Sequence, residues 1–216
     1  MAPLIDLLLP PACAACGRSG DVLCPACVGE FEPPDDGAFV VADAGVALGQ
    51  ELILGIGAFA YRGAIRRALG RLKYAGAARV ARPLAAAAVP ALSRLLRISG
   101  SSAVLVPVPI HPGRERQRGY NQALLLAEEL GRCCHAPVAP VLERRAVTER
   151  QHRLDRAARL RNLQDAIGLQ PGARAPRVAI VVDDILTTSA TLEACASVLN
   201  RGGTQESYGF AIAREV

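Results

Sequence analysis

The stretch that decides the fold is "RVAIVVDDILTTSATLEACASVL", residues 177–199. Apolar β-formers lead from Val178 into the adjacent acids Asp183 and Asp184, and after a hydroxyl-rich turn a helical apolar pattern begins at Thr191. Strand, loop and helix in this order are typical of an α/β fold with a parallel sheet. In such folds the carboxyl end of a strand and the N–H groups of the next helix meet where ligands bind. The stretch therefore predicts a ligand site as well as a fold class.

The turn and the two acids suit the two ends of a phosphorylated sugar. Backbone N–H groups and hydroxyl groups around the turn can hold an anion such as a phosphate. The hydroxyl side chains are those of Thr187, Thr188, Ser189 and Thr191. The carboxylates of Asp183 and Asp184 can accept hydrogen bonds from two neighbouring hydroxyls of a ribose. A ribose 5-phosphate would satisfy both halves, although the same residues could instead bind a metal or cap the helix.

The rest of the chain continues the alternation of strands and helices. Further strands are expected over residues 52–61, 104–108 and 207–213, and residues 138–142 could form another. Helices are expected from Ala64, over residues 77–97, from Tyr120 and from Thr191, with an arginine-rich loop before Tyr120. The charged stretch 144–162 is interpreted as a mobile loop. We expect two parts: a cysteine-containing knuckle with an acidic linker over residues 1–50, and an α/β domain over residues 51–216.

Four of the seven cysteines are arranged as two CxxC pairs separated by seven residues. They are Cys13, Cys16, Cys24 and Cys27. Each CxxC turn can present two thiolates to one cation, so the spacing predicts a structural, tetrahedral Zn²⁺ site. A redox pair and chance spacing are the alternatives. We expect Cys133, Cys134 and Cys195, which lie in apolar helical patterns, to be small buried hydrophobes.

Charge is distributed unevenly along the chain, whose net charge is +5. Residues 1–60 contain eight acids and one base, whereas residues 62–97 contain nine bases and no acid. A basic segment of this kind favours an anionic partner such as single-stranded nucleic acid. The candidate contacts are Arg62, Arg66, Arg67, Arg71 and Lys73. The alternative is a helix face that is simply solvated.

The cellular compartment is predicted from what the sequence lacks. No apolar run approaches the roughly 18 residues of a membrane span, and the N-terminal segment has no basic start typical of a signal peptide. An odd number of cysteines without such a signal favours a reducing compartment. We therefore expect a cytoplasmic protein with no membrane span.

The segment "VVDDILTTSATL" resembles the phosphoribosyl pyrophosphate loop of type I phosphoribosyltransferases. That loop usually has two acids followed by Thr-Thr-Gly-x-Thr, so Ser189 stands where glycine is usual. Together with the CxxC pairs, "LKYAG" at 72–76, "VPVPIHPGRERQRGYNQA" at 106–123 and polar residues within 148–162, the segment resembles the ComF family of competence-related proteins. The resemblance covers nearly the whole chain.

This resemblance implies an α/β, type I phosphoribosyltransferase-like domain with a parallel sheet and helices on both faces, bearing a small zinc knuckle. It implies a cleft for phosphoribosyl pyrophosphate and Mg²⁺, in which Asp183 and Asp184 hold the ribose hydroxyls. The 5-phosphate would lie on Thr187, Thr188, Ser189, Ala190 and Thr191. The diphosphate would lie near Arg114, Arg118 and Asn121, and a flexible loop carrying Gln151, Arg159 and Asn162 would close over the site. The implied catalytic residues are Asp183, Asp184, Arg114 and Arg118.

Two functions are consistent with these residues. One is an enzyme that displaces pyrophosphate from phosphoribosyl pyrophosphate with an acceptor that the sequence does not identify. The other is a non-catalytic competence protein that binds single-stranded DNA and docks on DNA-uptake proteins. In either case Ser189 narrows the phosphate loop or adds a hydroxyl donor to it.

Overall fold

The computed structural model describes residues 10–35, 39–40, 51–74, 77–144, 166–187 and 189–215. Its centre is a five-stranded sheet in the order β1-β2-β7-β6-β3. The strands are β1 (Phe39–Val40), β2 (Leu54–Ala60), β3 (Val104–Pro107), β6 (Val178–Leu186) and β7 (Glu206–Arg214). β2, β7, β6 and β3 are parallel, and β1 joins the edge antiparallel. A separate antiparallel pair is formed by β4 (Leu142–Arg144) and β5 (Ile167–Leu169).

Helices cover both faces of the sheet. They are α1 (Pro25–Gly29), α2 (Gly63–Leu72), α3 (Ala81–Ser99), α4 (Pro112–Arg118), α5 (Gln122–Cys134) and α6 (Ala190–Arg201). Because successive strand residues point to opposite faces, Ile180 and Phe210 pack with α2, α3 and α5, while Val181 and Ala211 pack with α6. This arrangement confirms the predicted α/β class with a parallel sheet and helices on both faces.

Several element boundaries differ from the prediction. β6 continues through both acids to Leu186, instead of ending at Asp183, because β7 supplies partners there, with Asp183 opposite Ala211 and Leu186 opposite Arg214. The predicted arginine-rich loop contains the short helix α4, which is capped by the His111 side chain accepting from the Gly113 N–H. Helix α6 begins at Ala190 and α5 at Gln122. Only a single bridge at Val138 joins the main sheet where another strand was expected.

The knuckle, residues 10–30, packs against α2. Its buried Cys13, Leu23 and Cys27 share an apolar cluster with Ile65 and Leu69 of that helix. The predicted boundary between residues 50 and 51 borders the stretch 41–50, which lies outside the described residues. Among the helices that the structure describes, none is long and apolar enough to cross a membrane.

Candidate binding cleft and metal centre

A cleft of about 170 Å³ opens at the carboxyl edge of β3 and β6. We call it the carboxylate cleft, because Asp183 and Asp184 form part of its lining. The other predicted residues that line it are Arg114, Arg118, Asn121 and Thr191. The C-terminal end of α2, the loop after β3, α4, the start of α5 and the end of β4 all contribute to it. The structure thus brings together residues that are far apart in the sequence.

The two acids of the carboxylate cleft are in different environments. Asp184 is buried, with 6% of its surface exposed, and its Oδ2 lies 3.3 Å from the Nζ of Lys73. Asp183 is half-buried, and its Oδ1 accepts a hydrogen bond of 2.8 Å from the Asp184 N–H. Burial and, next, the charge of Asp184 raise the pKa of Asp183 well above its ordinary value, which the charge of Lys73 partly opposes. The two neighbouring acids therefore differ in burial and in their partners.

Four cationic side chains line the same cleft. They are Lys73, Arg114, Arg118 and Arg144. Burial lowers the pKa of Arg144 below its ordinary value, and the nearby charge of Arg114 lowers it further. Guanidinium groups bind phosphate oxygens in a planar fork, so this lining suits a phosphorylated ligand.

The predicted ligand residue Asn121 serves the fold. Its Oδ1 accepts from the N–H groups of Ala123 and Leu124 at 2.9 and 3.4 Å, and so caps α5. Its Nδ2 donates to the Val108 carbonyl at 2.9 Å, which holds the loop after β3. Asn121 therefore shapes the wall of the cleft with an amide whose two ends are already engaged.

The turn before α6 has one residue in the left-handed region. Ser189 has φ of +52°, and its side chain does not cap the helix. A side chain in this region is strained, whereas glycine adopts it freely. Thr187 is exposed, Ala190 is the first residue of α6, and Thr191 lines the cleft.

Other predicted ligand residues lie outside the described residues. They are Thr188 in the turn and Gln151, Arg159 and Asn162 in the predicted flexible loop.

The four knuckle cysteines form a cluster that fits one metal ion. Their Sγ atoms all lie within 4.8 Å of one another, and those of Cys16 and Cys24 are 3.8 Å apart. A tetrahedral zinc with Zn–S bonds of about 2.3 Å holds its sulfurs about 3.8 Å apart. Burial raises the pKa of the Cys13 thiol, but backbone N–H groups, chiefly that of Cys24, outweigh this and lower it to about 6. This favours the thiolate, the form that binds metals, at Cys13, whereas burial and the neighbouring cysteine side chains raise the pKa of Cys27.

The three remaining cysteines differ in burial. Cys195 is buried as predicted, Cys134 is partly buried, and Cys133 is exposed, so the prediction is wrong for Cys133. The reason is its position on the outer side of α5.

The basic side of α2 holds the knuckle and the residues that follow it. Arg62 pairs with Glu32 at 2.7 Å and with Asp35 at 3.1 Å. Arg67 donates to the Ala15 carbonyl at 2.7 Å and lies 3.8 Å from Glu30. The basic face of α2 is therefore only partly solvated.

The remaining candidate nucleic-acid residues divide into two groups. Arg66 is exposed, with its guanidinium 5.9 Å from the centroid of the Tyr61 ring. Arg71 is exposed and lines an open cleft of about 390 Å³ between the knuckle and α2. Lys73, in contrast, faces the carboxylate cleft.

Comparisons with known proteins show relatives of one kind, although no family model matches the chain. It is 34% identical over 114 residues to competence protein F of Haemophilus influenzae, covering 51% of this chain and 49% of that protein. It is 30% identical over 158 residues to competence protein ComFC of Bacillus subtilis, covering 72% of this chain and 62% of that protein. The chain belongs to the ComF family. DNA utilization protein YhgH of Escherichia coli K12 is 35% identical over 100 residues, 46% of this chain and 44% of that protein.

The ComF chain spans about half the length of the curated relatives it matches first. Among solved structures, the allosteric regulatory enzyme of purine biosynthesis matches 62% of the ComF chain and 26% of its own chain, with 18% identity and a TM-score of 0.36.

Sequence reasoning missed some residues of the cleft in this ComF chain. Arg144 was placed in a polar loop, and Gln122 was overlooked beside Asn121. Lys73, in "LKYAG", is a candidate nucleic-acid contact with packing or a phosphate contact as the alternatives, so the sequence leaves its place in this cleft open. A dense run of arginines in "ERR" was the available signal for Arg144. No local pattern distinguishes Gln122 from Asn121, since both follow the same arginine-rich segment.

Proposed function

We propose that this chain binds phosphoribosyl pyrophosphate with Mg²⁺ in the carboxylate cleft and serves DNA uptake or processing in the cytoplasm. The observation that carries the proposal is the cleft itself, in which two acids and four cations line one cavity of about 170 Å³. The names of the relatives, a competence protein and a DNA utilization protein, support the cellular role.

The two kinds of charge match the two kinds of group on this ligand. The carboxyl oxygens of Asp183 and Asp184 accept hydrogen bonds, which the ribose hydroxyls can donate. Phosphate oxygens at neutral pH accept hydrogen bonds, and Arg114 and Arg118 donate them. The turn Ser189–Thr191 at the start of α6 supplies N–H groups for the 5-phosphate. Mg²⁺ would accompany the diphosphate, because it usually binds through substrate phosphates and one or two carboxylates.

The same arrangement suits a group transfer at the anomeric carbon. The bond from C1 to the pyrophosphate oxygen breaks, its electron pair leaves on the pyrophosphate, and a nucleophile forms the new bond at C1. Arg114 and Arg118 would stabilise the charge that develops on the leaving group. We propose the segment carrying Gln151, Arg159 and Asn162 as the loop that excludes water.

Titration calorimetry with phosphoribosyl pyrophosphate and Mg²⁺ tests the binding. Replacing both acids (Asp183→Asn with Asp184→Asn) should lower the affinity by about 100-fold or more, since each bond to a charged partner is worth about 1.5–3 kcal/mol. Glu115→Gln is the matched control, because Glu115 is exposed on α4. Equal affinity in the double variant and the control would reject the site. A pyrophosphate-release assay across candidate nucleobases then tests for turnover and identifies the acceptor.

We propose that the cysteine cluster binds one structural Zn²⁺. Four thiolates complete a tetrahedral site and leave no position for a reacting water. Because the knuckle packs on α2, the metal would maintain the surface on which that helix rests. This part of the molecule is also our candidate for docking on DNA-uptake proteins.

Single-stranded DNA is a second candidate ligand, supported by the open cleft between the knuckle and α2. Arg67, Arg71 and Tyr74 line it, and Tyr74 is 68% exposed, as a stacking platform for a base requires. Arg66→Glu with Arg71→Glu reverses one cleft residue and an exposed arginine of the same helix. The variant should weaken binding strongly and reduce its salt dependence, because each phosphate contact contributes a slope of about −0.7 in log affinity against log salt.

The variant leaves Arg67 intact, because reversing its charge would also loosen the knuckle. Arg97→Glu on α3 is the control, since Arg97 is exposed and lies away from this cleft. Binding that is unchanged by the double reversal would exclude this face.

A further inference from the structure

Two consecutive amide side chains at the start of α5 are used in opposite ways. Asn121 has both ends of its amide engaged, in the helix cap and on the Val108 carbonyl. Gln122 lines the carboxylate cleft, and its Oε1 is buried without a hydrogen-bond partner among the described residues. The residue beside the predicted ligand contact thus holds the unused acceptor.

A buried acceptor without a partner destabilises the structure that contains it. Within the described part of the chain, Asp184 Oδ2 also lacks a hydrogen bond and faces the same cleft, where Lys73 approaches it only as an ion pair at 3.3 Å. Two such oxygens in one cleft indicate that the missing partners belong to a ligand.

The chemistry of an acceptor determines which part of the ligand can face it. An ionised phosphate oxygen only accepts hydrogen bonds, so it cannot satisfy Gln122 Oε1. On a phosphoribosyl group the remaining donors are the ribose hydroxyls. We propose that Gln122 Oε1 accepts a hydrogen bond from a ribose hydroxyl of the bound phosphosugar, beside Asp184. This inference rests on the proposed phosphosugar function of the cleft.

The fold does not require this amide. Asn121 already caps α5, and the Oε1 atom of Gln122 has no hydrogen-bond partner among the described residues. A methionine of similar length would occupy the same space without a buried unsatisfied oxygen. The proposal therefore predicts that loss of binding and loss of stability separate in a Gln122→Met variant.

The test is calorimetry of wild type and Gln122→Met with three probes, namely phosphoribosyl pyrophosphate with Mg²⁺, ribose 5-phosphate and inorganic pyrophosphate. Affinity for the two sugar-containing probes should fall about 10-fold, which corresponds to about 1.4 kcal/mol. Affinity for inorganic pyrophosphate should not change, and the melting temperature should be unchanged or higher. Gln117→Met, the same change at an exposed glutamine of α4, should alter none of these values.

The outcomes separate the two proposals. A wild-type protein that binds neither sugar-containing probe rejects the proposed function, and the role of Gln122 with it. A wild-type protein that binds both, with equal affinity in Gln122→Met, rejects only the role of Gln122. A parallel loss of pyrophosphate affinity, or a lower melting temperature repeated in Gln122→Leu, would assign Gln122 to the phosphates or to the fold and overturn the inference.

Discussion

The cysteine cluster and the carboxylate cleft are two candidate sites built in different ways. The cluster takes its four ligands from the short segment Cys13–Cys27, and their sulfurs lie within 4.8 Å of one another. The cleft takes its residues from seven elements and loops of the chain, and it combines acids with cations. Two of its buried acceptors have no hydrogen-bond partner among the described residues. Four identical thiol ligands suit a permanently bound metal ion. A lining of mixed charge, with acceptors that lack hydrogen bonds, suits a ligand that binds reversibly.

Helix α2 connects the two sites. On one side Arg67 binds the knuckle through the Ala15 carbonyl, and at the C-terminal end Lys73 reaches Asp184. Tyr120 stabilises that end, since its hydroxyl lies 2.8 Å from the carbonyl oxygens of Leu72 and Tyr74. The comparison therefore predicts that damage to the cluster also affects the cleft.

The largest effect is expected from breaking the cluster. Cys16→Ser should reduce the zinc content from one per chain to near zero and make residues 10–35 sensitive to protease, because structural zinc contributes about 10 kcal/mol or more to zinc-finger folding. Metal analysis and limited proteolysis measure both. Cys133→Ser is the control, since Cys133 is exposed and outside the cluster. Metal loss in the control alone, or normal folding without metal, would contradict the assignment.

The next effect concerns the carboxylate pair. The pKa of Asp183 is raised in the folded protein, so this group favours the folded state below its unfolded pKa of about 3.9. That contribution is lost as the pH rises towards the folded pKa. Asp183→Asn should therefore stabilise the protein at neutral pH and flatten the dependence of the unfolding free energy on pH, measured by urea melts.

Asp184→Asn supplies the contrast to this variant. It removes the partner of Lys73 and should destabilise the protein at the same pH. If both asparagine variants change the unfolding free energy in the same direction, the difference drawn between the two acids is wrong.

A smaller effect is expected from Lys73→Met, which removes the ion pair between the C-terminal end of α2 and Asp184 in the cleft. Removing one partner of a mostly buried ion pair should lower the unfolding free energy by about 1–2 kcal/mol. This is less than for a fully buried pair, because the Lys73 side chain is 33% exposed. The pKa of Asp183 should rise further, since the charge of Lys73 now lowers it. Arg71→Met, at an exposed residue two positions before Lys73, is the control. It should change neither the unfolding free energy nor the pKa of Asp183 measured by NMR.

The smallest effect is expected at Ser189. Ser189→Gly relieves the backbone strain of a positive φ, about 1–2 kcal/mol. Glycine also raises the conformational entropy of the unfolded chain, which offsets part of this, so the unfolding free energy should rise by about 1 kcal/mol or less. Phosphosugar binding should become tighter. Ser189→Ala keeps the strain and removes the hydroxyl, so weaker binding in both variants would show that the hydroxyl is a ligand instead.

Much of the fold was predictable because its signals are local. The apolar run before Asp183, the helical spacing from Ala64 and the turn at Gly202 and Gly203 each depend on neighbours along the chain. The end of β6 was not predictable in this way. It depends on how far the adjacent strand β7 extends, and only pairing reveals that.

The candidate cleft was predicted only in part. Arg114, Arg118 and the two acids follow from recognisable segments, and the structure places them together. Asn121 and Gln122 are both amides, and their different uses depend on whether the Val108 carbonyl lies within reach. Local sequence cannot supply that distance.

The sequence by itself determined the α/β class, the family and the four-cysteine cluster. Hydrophobic periodicity and the short spacing of metal ligands involve residues close together in the sequence. These patterns can therefore be read without knowing how the chain packs. Only the tertiary structure decided that Lys73 faces Asp184, that Arg67 holds the knuckle and that Gln122 keeps an unused acceptor. The reason is that ion pairs and buried hydrogen bonds depend on distances of a few ångströms between segments far apart in sequence, and only packing brings those segments together.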